Sequence, residues 1–410
     1  MLLNRARADD VMRAHKLDGL AALVPYNVQY LTDYRNLLMV AGFDASVGAV
    51  LPLRHDAPAA LITAAFDTRN VVNAAPWVPN IVIYTDHPGD ASAATRGGGA
   101  KYAGWGTRPG AALNQRQARW VQETARMTES TAASCVHGLV NGIKDAGLAK
   151  GRIGIDDERL LQWLPELGLT GAEIVPARHL FNEIRLVKTQ DEIALLSAAA
   201  KINEAALLKA VAALHEGATW DELERVYMTD MADHGARGIY LECGAGGLQS
   251  GRVIKHEAVM FDGLGQYQGY HGDFGRSAVI GDPGPDVAVR VKSLEAGWRA
   301  AYDAIKPGVK YSEVAATVAK AVKAAGFPGP FRTPVVHSLG LQHTDDPVGL
   351  FDPPGKKADR VLEKDMVLNV DLPHIEIGWG AVHIEDTVRV TADGCEALTS
   401  METALRILPG

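Results

Sequence analysis

Five side chains in the second half of this 410-residue chain have the types and settings needed to hold a metal ion: Asp262, Asp273, His337, Asp371 and Glu385. Each lies in a segment that reads as a strand or a strand edge. Ala258-Val-Met-Phe-Asp262 is an apolar run ending on a carboxylate, and Asp273 opens the apolar stretch that ends at Ile280. Val367-Leu-Asn-Val-Asp371 and Val382-His-Ile-Glu385-Asp-Thr-Val-Arg-Val390 repeat the theme. A short hairpin through Gly263-Leu-Gly265 and Gln266 to Gln268 is expected to bring Asp262 and Asp273 together. A single Asp at a strand end is usually a turn or cap residue, so the signal lies in the set. Acids in buried strands cost several kcal/mol unless they are paired or bound to a cation. One or two divalent ions would remove that cost, and four carboxylates with one imidazole suit Mn²⁺, Fe²⁺, Co²⁺ or Zn²⁺.

The elements that must position these groups follow from the hydrophobic pattern. Two domains are expected at this length, because a single core stops growing at roughly 250 to 300 residues. Residues 1–176 alternate short apolar runs with helical stretches, as an α/β domain does. Segments 19–25, 47–53, 59–63, 81–84 and 152–155 read as buried strands, and one long helix is expected over about 112–146. The Gly-rich stretch 95–109 reads as a long loop, with no phosphate-binding pattern. Thr189 followed by Glu192 is a capping box, which opens an amphipathic helix reaching about residue 214. The second domain, 180–410, shows helices followed by strands twice, over 190–281 and 288–392, which predicts a duplicated α+β unit.

Composition excludes several other functions. A net charge of -8 without a Lys/Arg run argues against a nucleic-acid binder and for a small polar substrate. Cys135, Cys243 and Cys395 are widely spaced and form no CxxC pair, so neither a disulfide framework nor a thiolate zinc site is suggested. No signal-peptide core and no run of 18 apolar residues occurs, and a cytoplasmic location without membrane contact is expected.

Asp262 followed eleven positions later by Asp273, then His337 within His337-Ser-Leu-Gly-Leu-Gln-His343, then an acidic strand end, then Ile-Glu385-Asp-Thr-Val, resembles the metal signature of the pita-bread metallohydrolases. That superfamily includes creatinase, prolidase, Xaa-Pro aminopeptidase and methionine aminopeptidase. Asn182-Glu-Ile-Arg-Leu-Val-Lys188 is similar to the family's lead into the catalytic domain, and the two-domain length resembles prolidase and creatinase. The resemblance implies an α/β creatinase-like domain followed by an α+β pita-bread catalytic domain. It implies Asp273 and Glu385 as bridges between two metals, Asp262 on one ion, and His337 and Asp371 on the other. A metal-activated hydroxide would then cleave the amide C–N bond of a dipeptide or similar small substrate. His343 matches the second family histidine, a catalytic group near the substrate, and Asp371 is the other catalytic candidate. The resemblance also implies a homodimer in which the first domain of one subunit reaches the partner's cleft; the 95–109 loop has the reach for this, and Trp105 between two glycines is expected either to cover the substrate there or to pack on its own domain.

Several positions depart from the peptidase pattern. Asp371 stands where Glu is usual, Gly275 replaces a hydroxyl residue, and His383 stands where peptidases commonly place a substrate-binding Arg. The stretch Glu242 to Arg252 carries no His where prolidases have one. A non-peptidase member therefore stays open beside the Xaa-Pro peptidase: a creatinase-like or ectoine hydrolase-like enzyme, or a dimethylsulfoniopropionate lyase. A non-catalytic binding protein is the third reading.

Overall fold

The computed structural model describes residues 1–85, 106–245, 251–331, 334–347, 359–376 and 378–410. Trp105 and most of the 95–109 loop lie outside these residues. The chain divides into two compact units, Met1–Ile184 and Arg185–Gly410.

The first unit is built on a six-stranded mixed sheet. Strands β1 (Gly19–Ala22), β2 (Gly48–Pro52), β3 (Ala60–Ala64), β4 (Asn80–Tyr84) and β5 (Arg152–Ile155) form where apolar runs stand between turn residues. A sixth strand, β6 (Glu173–Pro176), adds at the edge, giving the order β4-β3-β2-β1-β5-β6. Its short, partly exposed Glu-Ile-Val-Pro sequence carries too little apolar signal to stand out. The single helix expected over 112–146 is two helices, Gln115–Met127 and Cys135–Asp145. Thr128 ends the first by donating from its hydroxyl to the Thr124 carbonyl (2.7 Å), and the Ser134 side chain caps the second. Between them Ala132 pairs with Tyr84 at the end of β4, a tertiary contact that local periodicity cannot reveal.

The second unit repeats one motif, two helices followed by three strands. Helices Gln190–Ala212 and Trp220–Asp233 precede β7 (Arg237–Ala245), β8 (Val259–Tyr267) and β9 (Tyr270–Ile280). Helices Gly284–Ala304 and Tyr311–Ala324 precede β10 (Val335–Ser338), β11 (Val367–Glu376) and β12 (Gly380–Val390). Thr189 and Glu192 form the expected capping box at the first helix. The strands join in the order β10-β11-β12-β9-β8-β7, so the two halves meet along β12 and β9. Strands β13 (Cys395–Ala397) and β14 (Arg406–Leu408) add to β12 and β9.

Side chains alternate across a strand, so each strand offers one face to the helices and the other to the site. Phe261, Phe274, Val382, Ile384, Leu368 and Val370 pack into the cores on the helical face. Gly263 and Gly265 belong to that face too. A Cβ at Gly263 would press on Leu207 and Tyr227, and one at Gly265 on Tyr227 and Asn203. These glycines admit the helices and do not make the hairpin turn, which lies later, at Gln268 (φ 52°) and Gly269 (φ 91°). Positive φ at both central residues is what a tight two-residue hairpin needs.

The seam between the halves is thinly laddered, with Glu385 opposite Gly275 as the single paired position of β12 and β9. Arg276 reinforces it from the helical face. Its guanidinium donates to the carbonyls of Gly275 (2.8 Å) and Glu385 (2.9 Å) and to the Asp386 carboxylate (2.7 Å), and both side chains are fully buried. Removing one member of a buried pair strands the other's charge, at a cost of about 3–5 kcal/mol. Arg276→Ala should lower the urea unfolding midpoint accordingly; an unchanged midpoint would mean that the clamp contributes nothing to folding.

Candidate metal centre

The register places the candidate ligands in rows across the non-helical face. One row runs Glu242, Asp262, Gly275, Glu385, Asp371 over β7, β8, β9, β12 and β11. Two residues along, Asp273 aligns through Leu264 with β8, while His337 is opposite Asn369, which is opposite Thr387. All five expected ligands therefore share one face, at spacings that alternation dictates. Asp262 and Asp273 are diagonal neighbours and not direct partners.

Two clusters result, each bringing one potential ligand atom per residue within 4.8 Å of the others: Asp273, His337 and His343, and Asp262, His383 and Glu385. His343 Nε2 lies 2.9 Å from Asp273 Oδ2, and His337 Nε2 lies 3.8 Å from the same atom. The two imidazoles meet edge to face, with centroids 5.1 Å apart. Their exposure differs sharply, since the His337 side chain is 5% exposed and that of His343 is 43% exposed. His343 can thus reach both the carboxylate and the cleft.

Asp371 joins the row but not the second cluster. Its Oδ1 holds His383 Nε2 at 2.6 Å, and the same nitrogen lies 3.6 Å from Glu385 Oε2. His383, expected to face substrate, is fully buried instead. Ser277 bonds both the N–H and the carbonyl of His383, at 2.6 Å and 2.9 Å, where the ladder would otherwise run.

Sequence reasoning missed Asn369, whose amide donates to Glu385 Oε1 (3.0 Å) and orients that carboxylate. Its place two residues before Asp371 was the available signal, because period two puts both on one face. It also missed Tyr240, aligned with Leu264 on this face. Burial, then the charges of Asp262, Asp273 and Glu385, push its phenol up.

Among the described residues, the buried atoms here without a hydrogen-bond partner include Asp262 Oδ1, Asp273 Oδ1, Glu385 Oε2, His383 Nδ1 and Asn369 Oδ1. Buried polar atoms are normally satisfied, so converging orphans on acids and an imidazole are a donor set that fits a divalent cation. Burial, then Asp273, Asp371 and Asp262, push Glu385 well above the usual carboxylate range. Asp262 is raised to about 7 by burial, an effect that His383 opposes and Asp273 and Asp371 strengthen. Burial alone would lower His383, but the Asp371 hydrogen bond and charge, with Asp262 and Asp273, bring it up to about 8.

A pH dependence follows. The raised Asp262 carboxyl adds stability that is complete below its unfolded value near 4 and is lost as pH rises through about 7, and Glu385, raised in the same direction, acts in the same sense. His383 contributes in the same sense, its share being complete below about 6.5 and lost through about 8. The unfolding temperature of EDTA-stripped protein should therefore drop between pH 5 and pH 8.5, by a stability on the order of a few kcal/mol. A divalent cation should reverse the drop at the alkaline end. A flat or rising profile in the stripped protein would contradict this electrostatic picture.

The residues 5–187 match the family described as Creatinase/Prolidase N-terminal domain, and residues 194–392 match Metallopeptidase family M24. The chain belongs to the creatinase/prolidase pita-bread family. As a family member it is a metal-dependent hydrolase. The chain is 29% identical to the putative dipeptidase YkvY of Bacillus subtilis (strain 168), over 58% of this chain and 67% of that one. It is 28% identical to the probable dipeptidase PepE of Mycobacterium tuberculosis, over 70% and 81%, and 26% identical to the Xaa-Pro dipeptidase of Pyrococcus furiosus, over 55% and 66%. The fold of a creatinase/prolidase member is seen also in its likeness to the Xaa-Pro dipeptidase from Bacillus anthracis. That match has a TM-score of 0.69 at 20% identity and covers 99% of this chain and 100% of the other. The two-domain pita-bread architecture inferred from the residues is thus the architecture present. No helix among the described residues is long and apolar enough to cross a membrane.

Proposed function

We propose that this protein is a metal-dependent dipeptidase of the Xaa-Pro type, with Asp262, Asp273, His337 and Glu385 at the core of its metal-holding set and Asp371 at the set's edge. The observation that carries the reading is the convergence of orphaned buried oxygens on Asp262, Asp273 and Glu385 in adjacent clusters along one seam. Bound divalent cations would activate water and polarise the scissile carbonyl. The oxygen-rich donors with imidazole suit Mn²⁺, with Fe²⁺, Co²⁺ and Zn²⁺ as alternatives. The chain's own contribution is to hold these donors rigidly in a sheet and to offer His343, partly exposed, for proton transfer at the substrate.

A cavity of about 350 Å³ lined by Pro330, Phe331, Pro373, His374 and Ile375, with walls of mixed polarity, has the size for one side chain of a small substrate. Pro373, opposite His383 in the sheet, ties the cavity to the seam. The names of the Pyrococcus and Bacillus anthracis relatives support a dipeptide ending in proline. A cytoplasmic homodimer completes the proposal, for which light scattering should report twice the chain mass.

One observation favours a second reading. The fully buried His383 stands where peptidases commonly place Arg, so substrate anchoring differs, which suits a non-peptidase amidohydrolase or the lyase. Protein reconstituted with each of the four metals should be assayed against Xaa-Pro dipeptides, creatine and dimethylsulfoniopropionate. Cleavage of the dipeptides alone is expected; turnover confined to creatine or dimethylsulfoniopropionate would transfer the conclusion to the second reading.

A further inference from the structure

Gly275 and His383 are two departures from the peptidase pattern that the structure joins into one. Gly275 stands in the ligand row between Asp262 and Glu385. A Cβ there would overlap Nδ1 and Cε1 of His383 and approach the Glu385 Cβ to 3.0 Å. The imidazole therefore occupies the space that a side chain at 275 would fill, directly over the backbone that separates the two carboxylates. Only glycine leaves that seat open. Ser277 fixes the His383 backbone, and Asp371 accepts from Nε2 at 2.6 Å.

With Nε2 donating to Asp371, the ring proton that a metal would displace is the one on Nδ1, whose lone pair then becomes the donor. This Nδ1 is buried and unpartnered, as are Asp262 Oδ1 and Glu385 Oε2. A carboxylate that holds one ring nitrogen while the other binds metal is the usual outer support of a metal-ligating histidine. We infer that His383 is itself a metal ligand, binding through Nδ1 with Asp262 and Glu385, and that Asp371 acts as the carboxylate that orients it.

The Asp at 371 is consistent with this division of labour. A carboxylate one methylene shorter than Glu hydrogen-bonds Nε2 and is not part of the group of Asp262, His383 and Glu385, although Glu385 Oε2 also lies 3.6 Å from that nitrogen. The centre would then hold two imidazole ligands of different elements, His337 from β10 and His383 from β12. More nitrogen in the set moves the preference from Mn²⁺ towards Zn²⁺ and Co²⁺, because imidazole suits these ions better than Mn²⁺.

The inference rests on the metal-dependent reading above, and the experiment separates the two. Zn²⁺ is titrated into full-length protein labelled with ¹⁵N-histidine, and the ring nitrogens are followed by long-range proton–nitrogen correlation spectra. The His383 Nδ1 resonance should move to the metal-bound position at stoichiometric Zn²⁺ while Nε2 remains protonated. His383→Ala should weaken Zn²⁺ binding by more than the roughly 10–100-fold expected for the outer-partner variant Asp371→Asn. Gly275→Ala, which displaces the ring and keeps every ligand, should reproduce the His383→Ala loss. If wild-type protein binds no divalent cation, the metal-dependent reading and this inference both fall. If Zn²⁺ binds but the His383 nitrogens do not move, the inference alone falls, whether or not the variants fold.

Discussion

Glu385→Ala should abolish stoichiometric binding of divalent cations and lower turnover by at least about 10³-fold. The magnitude follows from the several kcal/mol of charge stabilisation that bound metal supplies to a transition state, each 1.36 kcal/mol being a factor of ten. Glu385 is the sharpest place to test this because it sits at the seam. It faces Gly275 across β9 and Asp371 across β11, and it contributes an orphaned oxygen to the cluster with Asp262 and His383. Removing the side chain should also relieve carboxylate repulsion, so the stripped variant should be more stable than stripped wild type near pH 8. Elemental analysis and calorimetric unfolding would read the two effects. Retention of full metal content by Glu385→Ala would remove this residue from the proposed ligand set.

His343→Ala should depress turnover by roughly 10²- to 10⁴-fold, the range of a lost general acid or base, while metal content is retained. The structural reason for separating it from His337 is exposure. His337 is enclosed in β10, whereas nearly half of the His343 side chain is open to solvent although its Nε2 contacts Asp273. The segment that carries it is firmly anchored. Asp345 receives Arg185 Nη2 at 2.5 Å and Lys188 Nζ at 3.2 Å, all three side chains being buried. Arg185 Nη2 also donates to Gln342 at 2.8 Å, so the backbone on both sides of His343 is tied to the start of the second unit. A bell-shaped pH–rate profile that loses one limb in His343→Ala would support the proton-transfer role. A fall in bound metal in that variant would instead make His343 a ligand with Asp273 and His337.

Asp345 illustrates how much of the centre was hidden. In the sequence, Asp345 and Asp346 are two acids after a histidine, and the lead Asn182–Lys188 is a basic segment about 160 residues earlier. Nothing local connects them. The four acidic candidates were legible because each interrupts an apolar strand, an interruption that physical chemistry penalises unless a cation compensates it, and His337 was reached through the family resemblance. Capping chemistry located the helix start at Thr189 for the same local reason. The break at 128–134 was not legible, because the pairing of Ala132 with Tyr84 competes with helix continuation only once the sheet exists.

The hairpin shows where local reasoning misassigned a signal. Gly263 and Gly265 resemble turn residues in one dimension, yet they are small because Leu207, Tyr227 and Asn203 approach from helices far away in the chain. His383 is a parallel case. Its position before Glu385 suggested contact with substrate, but burial, the Asp371 hydrogen bond and the open seat over Gly275 turn it into the sheet.

Two layered domains, the duplicated helix–strand order of the second and a set of candidate metal-binding side chains could be read along the chain. These rest on composition, period and capping, which act between near neighbours along the chain. Tertiary structure alone decided which acids share a row, which carboxylate holds His383 rather than standing in the cluster, and which of the two histidines near Asp273 opens to solvent. The physical reason is that register across a sheet and the space between facing residues are set by packing between separate segments, at the seam between Gly275 and Glu385 in strands far apart along the chain, so no single segment encodes them.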